Sequence, residues 1–301
     1  MCFAVVRSLS ATIAALPLML IGLIPAVLIP AVLIPAVLLP AARPACAQDR
    51  EPVKNLILPG EVFEVAGRTA FVFTAAESQP AANGRPWILY GPTLPAYPDE
   101  AERWMHEAFT AAGVAVAGVD TGESYGSPAG VAAAEALHTE MVRRGYAEKP
   151  ALLGRSRGGL WAAAWAIAHP EQTAGLGGIY PVYDWRTYPG LAKAAAAYGL
   201  SPEQLAGQAD RLCPIERIGV LAEANIPVCI IHGDDDTVVP LEPNSARLKR
   251  RYEAAGKGGL VELIVAENQG HSFWEGFFHC QQLVDFLIET ATTAATTSPS
   301  R

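Results

Sequence analysis

Basic residues are scarce in this chain: 22 lysines and arginines stand against 30 aspartates and glutamates, a formal net charge of −8. Phosphate backbones and anionic lipids are held by clustered surplus cations, so this balance argues against nucleic acid or an anionic membrane as partner. Cysteine is sparse too, five in 301 residues. Neither Cys-x-x-Cys nor His-Glu-x-x-His occurs, so no metal site is written in the spacing. Charged residues make up only 17% of the chain and hydrophobic ones 51%, enough apolar mass for one large domain or two small ones.

Part of that apolar mass sits at the N-terminus. Arg7 is followed by an uncharged apolar stretch over 13–39, and Ala45-Cys46-Ala47 has the small-x-small pattern of a signal-peptidase site. Residues 1–47 therefore read as a cleaved signal peptide, which sends the protein to the periplasm or outside the cell. The stretch is long enough to span a bilayer, so residues 8–42 as a membrane anchor are the alternative. Pro25, Pro30, Pro35 and Pro40 recur every fifth residue within an Ile-Pro-Ala-Val-Leu repeat and remove helix hydrogen bonds, which argues against a stable span in the mature chain. Cleavage would leave Cys213, Cys229 and Cys280, of which Cys213 and Cys280 can pair while Cys229 falls in a strand-like run.

From residue 61 the chain alternates strand-like and helix-like segments. A hairpin is expected over 61–65 and 69–74, with strands over 87–90, 114–119, 151–153, 174–179, 228–232 and 260–265. Helical spacing runs over 99–112, 128–145, 159–169, 242–255 and 274–289. Such alternation predicts an α/β fold, a mostly parallel sheet with helices on both faces. One domain is expected over 48–290. A small helical lid is expected as an insertion at about 180–225, and an Ala/Thr/Ser-rich disordered tail over 291–301.

Within this frame Gly154-Arg155-Ser156-Arg157-Gly158 stands between a strand and a helix. Gly-x-Ser-x-Gly at that junction describes a nucleophile elbow, a turn so tight that its flanks must be nearly free of side chains. The helix behind it aims unpaired N–H groups at the serine. A nucleophilic serine needs a base and an acid, and in an open α/β sheet both should lie just beyond strand ends. Asp236, in His232-Gly233-Asp234-Asp235-Asp236, is best placed to turn back into the cleft; Asp234 should shape the turn and Asp235 face solvent. His271, in Gly270-His271-Ser272, follows the last strand and is the candidate base, whereas His232 reads as a buried structural residue. Two donors should stabilise the oxyanion: the backbone N–H of Arg157 and, because Pro92 has none, that of Thr93.

These three motifs occur in the order Ser…Asp…His, and over about 61–289 the chain resembles the α/β-hydrolase family. The resemblance implies an eight-stranded sheet with an antiparallel N-terminal hairpin, a Ser156–His271–Asp236 triad, acyl-transfer chemistry and no cofactor. The loop Tyr90-Gly91-Pro92-Thr93 departs from the His-Gly-Gly form of that family's oxyanion loop. At Gly-x-Ser-Arg-x-Gly alone the chain is similar to glucuronoyl esterases. Arg157 could thus strengthen the oxyanion hole or bind a substrate carboxylate, the alternative being an ion pair to Glu123 or Asp120. Arg155 is expected to point away from the cleft into local structure. Trp274, Trp185, Tyr183 and Tyr125 are candidates for lining an acyl or sugar pocket, with ordinary packing as the alternative. The reading that results is an exported hydrolase of small-molecule or carbohydrate-linked carboxylic esters. Its alternatives are a serine peptidase of the prolyl-oligopeptidase kind and a non-catalytic binding protein.

Overall fold

The chain enters its sheet through a two-residue hairpin. Strands β1 (Gly60–Val65) and β2 (Arg68–Phe73) pair antiparallel, and Ala66 and Gly67 between them both take positive φ, 51° and 71°. Such a turn matches the right-handed twist of the flanking strands. The computed structural model describes residues 54–75, 81–92 and 95–296, all belonging to the unit Arg50–Arg301. The signal segment, its anchor alternative and Thr93 lie outside the described residues.

Six further strands complete the sheet: β3 (Trp87–Gly91), β4 (Ala115–Val119), β5 (Ala151–Arg155), β6 (Gly175–Ile179), β7 (Val228–Gly233) and β8 (Val261–Ala266). Their order is β1-β2-β4-β3-β5-β6-β7-β8, with every pair from β4 onward parallel. Strands β3 to β7 are buried at every position, as a sheet covered on both faces requires. Alternate residues feed two cores: Trp87, Leu89, Leu152 and Ile230 on one face, Ile88, Tyr90, Leu153 and Ile231 on the other.

Helices α1 (Arg103–Ala111) and α11 (Gln281–Thr296) cover the second of these faces. Helices α2 (Pro128–Arg143) and α3 (Gly158–Ala168) cover the first. Five short helices between β6 and β7 join them: α4 (Leu191–Tyr198), α5 (Pro202–Ala206), α6 (Ala209–Leu212), α7 (Pro214–Arg217) and α8 (Gly219–Glu223). This insertion was expected as a lid, yet Tyr183, Trp185, Leu205, Ile215, Ile218 and Leu221 are all fully buried in the α2–α3 core. At about 1.5–3 kcal/mol for each large apolar side chain buried, the segment is a packed wall of the domain rather than a flap above the site.

The C-terminal helix departs from expectation twice. Instead of one helix over 274–289, a single turn, α10 (Glu275–Phe278), precedes α11, and both Phe277 and Phe278 enter the core. Helix α11 then continues to Thr296, so residues 291–296 are no disordered tail. Ala291 and Ala295 prolong the buried stripe of Val284 and Leu287, and the Asn83 N–H donates to the Ala295 carbonyl at 2.9 Å. Alanine's helix propensity and small size make this possible in a stretch whose composition alone suggests disorder. Helix α9 (Arg247–Ala254) likewise begins later than expected, after a wide π turn at Glu242–Ala246. All three described cysteines are buried free thiols, Cys213 and Cys280 included.

Candidate active site

Ser156 stands where β5 ends and α3 begins, at φ 50°. Its N–H donates to the Ile179 carbonyl at 2.9 Å, and its carbonyl accepts from Gly159 (3.0 Å) and Val182 (2.8 Å). These bonds hold a non-glycine residue in a conformation it rarely adopts. The flanking glycines answer a steric demand. A Cβ on Gly158 would lie 2.1 Å from the Gly91 carbonyl oxygen, and one on Gly154 2.7 Å from the Gly159 Cα.

The loops after β7 and β8 are laced together, which sets the other two residues. Asp234 Oδ1 accepts from the Asn268 N–H at 2.7 Å, and the Asp235 N–H donates to the Gln269 carbonyl at 3.1 Å. Asp234 thus shapes the turn, Asp235 is exposed, and Asp236 turns inward. His271 Nε2 is 3.0 Å from Ser156 Oγ, and its Nδ1 is 2.7 Å from Asp236 Oδ2. Asp236 Oδ1 accepts from the backbone N–H groups of Val238 (3.0 Å) and Val239 (2.7 Å). Burial alone would raise the Asp236 pKa; hydrogen bonds with His232, His271 and Val239 override it and hold the carboxyl well below the usual carboxylate range. A carboxylate so held stays ionised at neutral pH and favours the His271 tautomer with its proton on Nδ1, leaving Nε2 to accept. His232 is buried, its Nδ1 2.7 Å from Ser245 Oγ and its Nε2 2.8 Å from the Val239 carbonyl. It props the Asp236 turn from below.

A pocket of about 110 Å³ opens at Ser156 and His271, walled by Pro92, Tyr97, Arg155, Arg157, Tyr180 and Phe273. The Arg157 backbone N–H heads α3 without a hydrogen-bond partner among the described residues. Its guanidinium reaches Glu123 at 3.7 Å, the ion pair foreseen as the alternative to substrate binding, and lies 5.8 Å from the Tyr97 ring.

All four aromatic candidates for the pocket wall are elsewhere. Trp185 is fully buried, edge-on to Tyr198, because the insertion folds into the core. Tyr125 is buried in that same core, at φ 46°. Trp274 is 42% exposed and packs edge-on against Phe277, while its neighbour Phe273 takes the place at the pocket. Tyr183 is core as well.

Arg155 corrects the sequence reading most. It was expected to face away from the cleft into local structure; it does pair locally, yet it also forms a pocket wall while only 4% exposed. Its guanidinium pairs with Glu102 at 2.7 Å and Asp99 at 3.1 Å, and Tyr97, Phe273 and Phe278 stack around it at 4.9–5.1 Å. Burial raises the Glu102 pKa although Arg155 counters it, and Tyr90 donates its hydroxyl to the same carboxylate at 2.7 Å. Burial also pushes Tyr180 up to about 12, and its ring lies 4.3 Å from His271. One cation therefore ties together the elbow, the loop after β3, the short turn that leads into α1 and the loop after His271. A signal was available: Arg155 follows Leu153 by two on β5, hence on the α1 face, where Asp99 and Glu102 form a capping box.

An eight-stranded sheet of this order with a serine elbow and a histidine and carboxylate beyond later strands is the α/β-hydrolase fold of serine hydrolases. Residues 130–290 match the prolyl oligopeptidase family, and the chain belongs to that family. No curated protein matches it. Among solved structures it is similar to a puromycin-hydrolyzing peptidase of Mycobacterium tuberculosis: 20% identity, 76% of this chain and 39% of that one, TM-score 0.59. It is also similar to Est1E from Butyrivibrio proteoclasticus: 18% identity, 77% of this chain and 98% of that one, TM-score 0.58. The third is Mycobacterium tuberculosis MPT51: 17% identity, 77% and 99% coverage, TM-score 0.61. The chain thus spans 39% of the length of the first peptidase and nearly all of the other two.

Proposed function

We propose that this protein hydrolyses small or medium carboxylic esters through an acyl-enzyme formed on Ser156. The observation that carries the reading is the unbroken relay from Ser156 Oγ through His271 to Asp236, at 3.0 and 2.7 Å. In this scheme His271 Nε2 takes the Ser156 proton as the oxygen attacks the acyl carbon, and Asp236 stabilises the imidazolium. The Arg157 N–H donates to the oxyanion, with a second donor from the Thr93 segment. The tetrahedral intermediate collapses, and the alcohol leaves with the proton returned by His271. Water, activated in the same way, then releases the acid.

Ester preference is supported by the walls of the pocket. Its volume of about 110 Å³ suits a small acyl group, and its charged side chains are two arginines with no carboxylate among them. A site that held the free amino group of a peptide would need an open carboxylate, whereas Asp99, Glu102 and Glu123 are engaged by Arg155 and Arg157. Uncharged and anionic acyl groups fit, uronate esters of carbohydrates among them. The family match favours the second reading, a serine peptidase. The N-terminal segment supports export to the periplasm or beyond. The test is a panel of p-nitrophenyl acetate and butyrate against aminoacyl p-nitroanilides. Faster turnover of the esters is expected, while selective cleavage of the anilides would replace this reading with the second.

A further inference from the structure

A cavity larger than the one at Ser156 lies elsewhere in the domain. A space of about 350 Å³ lies between α2, α3 and the insertion, at the lower end of the roughly 300–1,000 Å³ typical of small-molecule sites. Val131 and Ala132 of α2, Ala164 and Ile167 of α3, and Leu212 and Pro214 of the insertion make its walls apolar.

Four polar side chains border it, and three are already committed. Glu135 accepts from the Trp165 indole N–H at 3.1 Å and faces His169 Nε2 at 3.3 Å. His169 stacks on Trp165 at 5.0 Å besides meeting Glu135. Tyr198 donates its hydroxyl to the Tyr125 carbonyl at 3.1 Å. Arg217 is the exception. Its exposed guanidinium borders the apolar trough, makes no ion pair or hydrogen bond among the described residues, and acts electrostatically on the nearby Tyr198 phenol. An open cation beside an apolar wall is complementary to one kind of small molecule, an anion with an apolar body.

We infer that this cavity is a second binding site, separate from the catalytic pocket, and that it takes an apolar monocarboxylate such as a medium-chain fatty acid. The alkyl chain lies along Ala132, Ala164 and Ile167, and the carboxylate meets Arg217, away from the engaged charge of Glu135. An amine of the same length would bring a like charge to Arg217, and the Glu135 carboxylate it could turn to already accepts from Trp165 and faces His169.

Isothermal titration calorimetry of the purified protein with sodium octanoate, octylammonium and 1-octanol tests this without reference to catalysis. Octanoate is expected to bind and octylammonium not to. Arg217→Gln should weaken octanoate about tenfold while changing octanol by less than about twofold. Ala132→Trp, which fills the trough from an exposed position, should abolish octanoate binding, and Ala168→Trp serves as a second plug should the first variant not fold. Absence of octanoate heat up to about 5 mM would overturn the inference. So would octanoate binding that survives both plugs, which assigns it to the catalytic pocket, or octylammonium binding as well as octanoate.

Discussion

Arg155 and His106 are the two residues whose burial has measurable consequences beyond the relay. Removing one partner of a buried ion pair strands the other, so Arg155→Met is expected to cost about 3–5 kcal/mol in urea unfolding. Arg155→Lys keeps the charge and loses the fork shared between Glu102 and Asp99, so it should lie between the two and raise KM for esters, since this side chain forms a pocket wall. His106 sits fully buried among the rings of Phe73, Tyr90 and Phe109 at 5.3–5.8 Å, and neither ring nitrogen has a hydrogen-bond partner among the described residues. Burial and the nearby Arg155 lower its pKa from 6.5 to about 3. The folded state therefore binds fewer protons than the unfolded one in that window. His106 thus imposes a penalty that is absent above pH 6.5 and grows as the pH falls towards 3, at up to about 1.4 kcal/mol per pH unit. His106→Phe should raise stability at neutral pH by about 1–2 kcal/mol and flatten the acid limb of a denaturation series. Glu102, raised by burial, acts in the opposite sense and is common to both proteins, so the difference isolates His106. An unchanged acid limb in the variant would refute this assignment. The His106 cage was not legible in sequence, because it is built from β2, β3 and α1.

At the scale of elements, the elbow owes its shape to contacts between backbones. Gly158→Ala places a methyl group against the Gly91 carbonyl and should cost about 3 kcal/mol or more along with activity. Gly219→Ala at the start of α8, where an added Cβ meets nothing within 4 Å, should be neutral by the same melting assay. Ending the chain after Thr290 removes Ala291, Ala295 and the bond from Asn83, with an expected loss of about 1–3 kcal/mol. The strands and their mostly parallel character could be read from sequence because each is a short buried run closed by a turn signal, whereas their order in the sheet could not. The insertion and the C-terminal helix could not. Alanine-rich composition is the same for a lid, a tail and a packed helix, and only the glycines of β6, which let Leu287 and Thr290 approach closely, decide for packing.

For the whole molecule, chain order carried the catalytic reading: Ser156, Asp236 and His271 each follow a strand, and a parallel sheet brings successive strand ends to one edge. The pocket's walls escaped it, since Tyr97, Tyr180 and Phe273 meet only through the Arg155 cluster. Substrate choice belongs to this scale. Arg157→Ala is expected to raise KM for uronate esters about tenfold more than for neutral ones if its guanidinium leaves Glu123 for the substrate; equal losses would leave it an ion-pair partner alone. The most direct test of the mechanism is mass spectrometry of protein quenched in acid during turnover of p-nitrophenyl butyrate. A butyryl adduct on the peptide carrying Ser156, absent from Ser156→Ala protein of unchanged melting temperature, is the expected result. Turnover without any adduct, or an adduct on another residue, would contradict the assignment of Ser156 as the nucleophile.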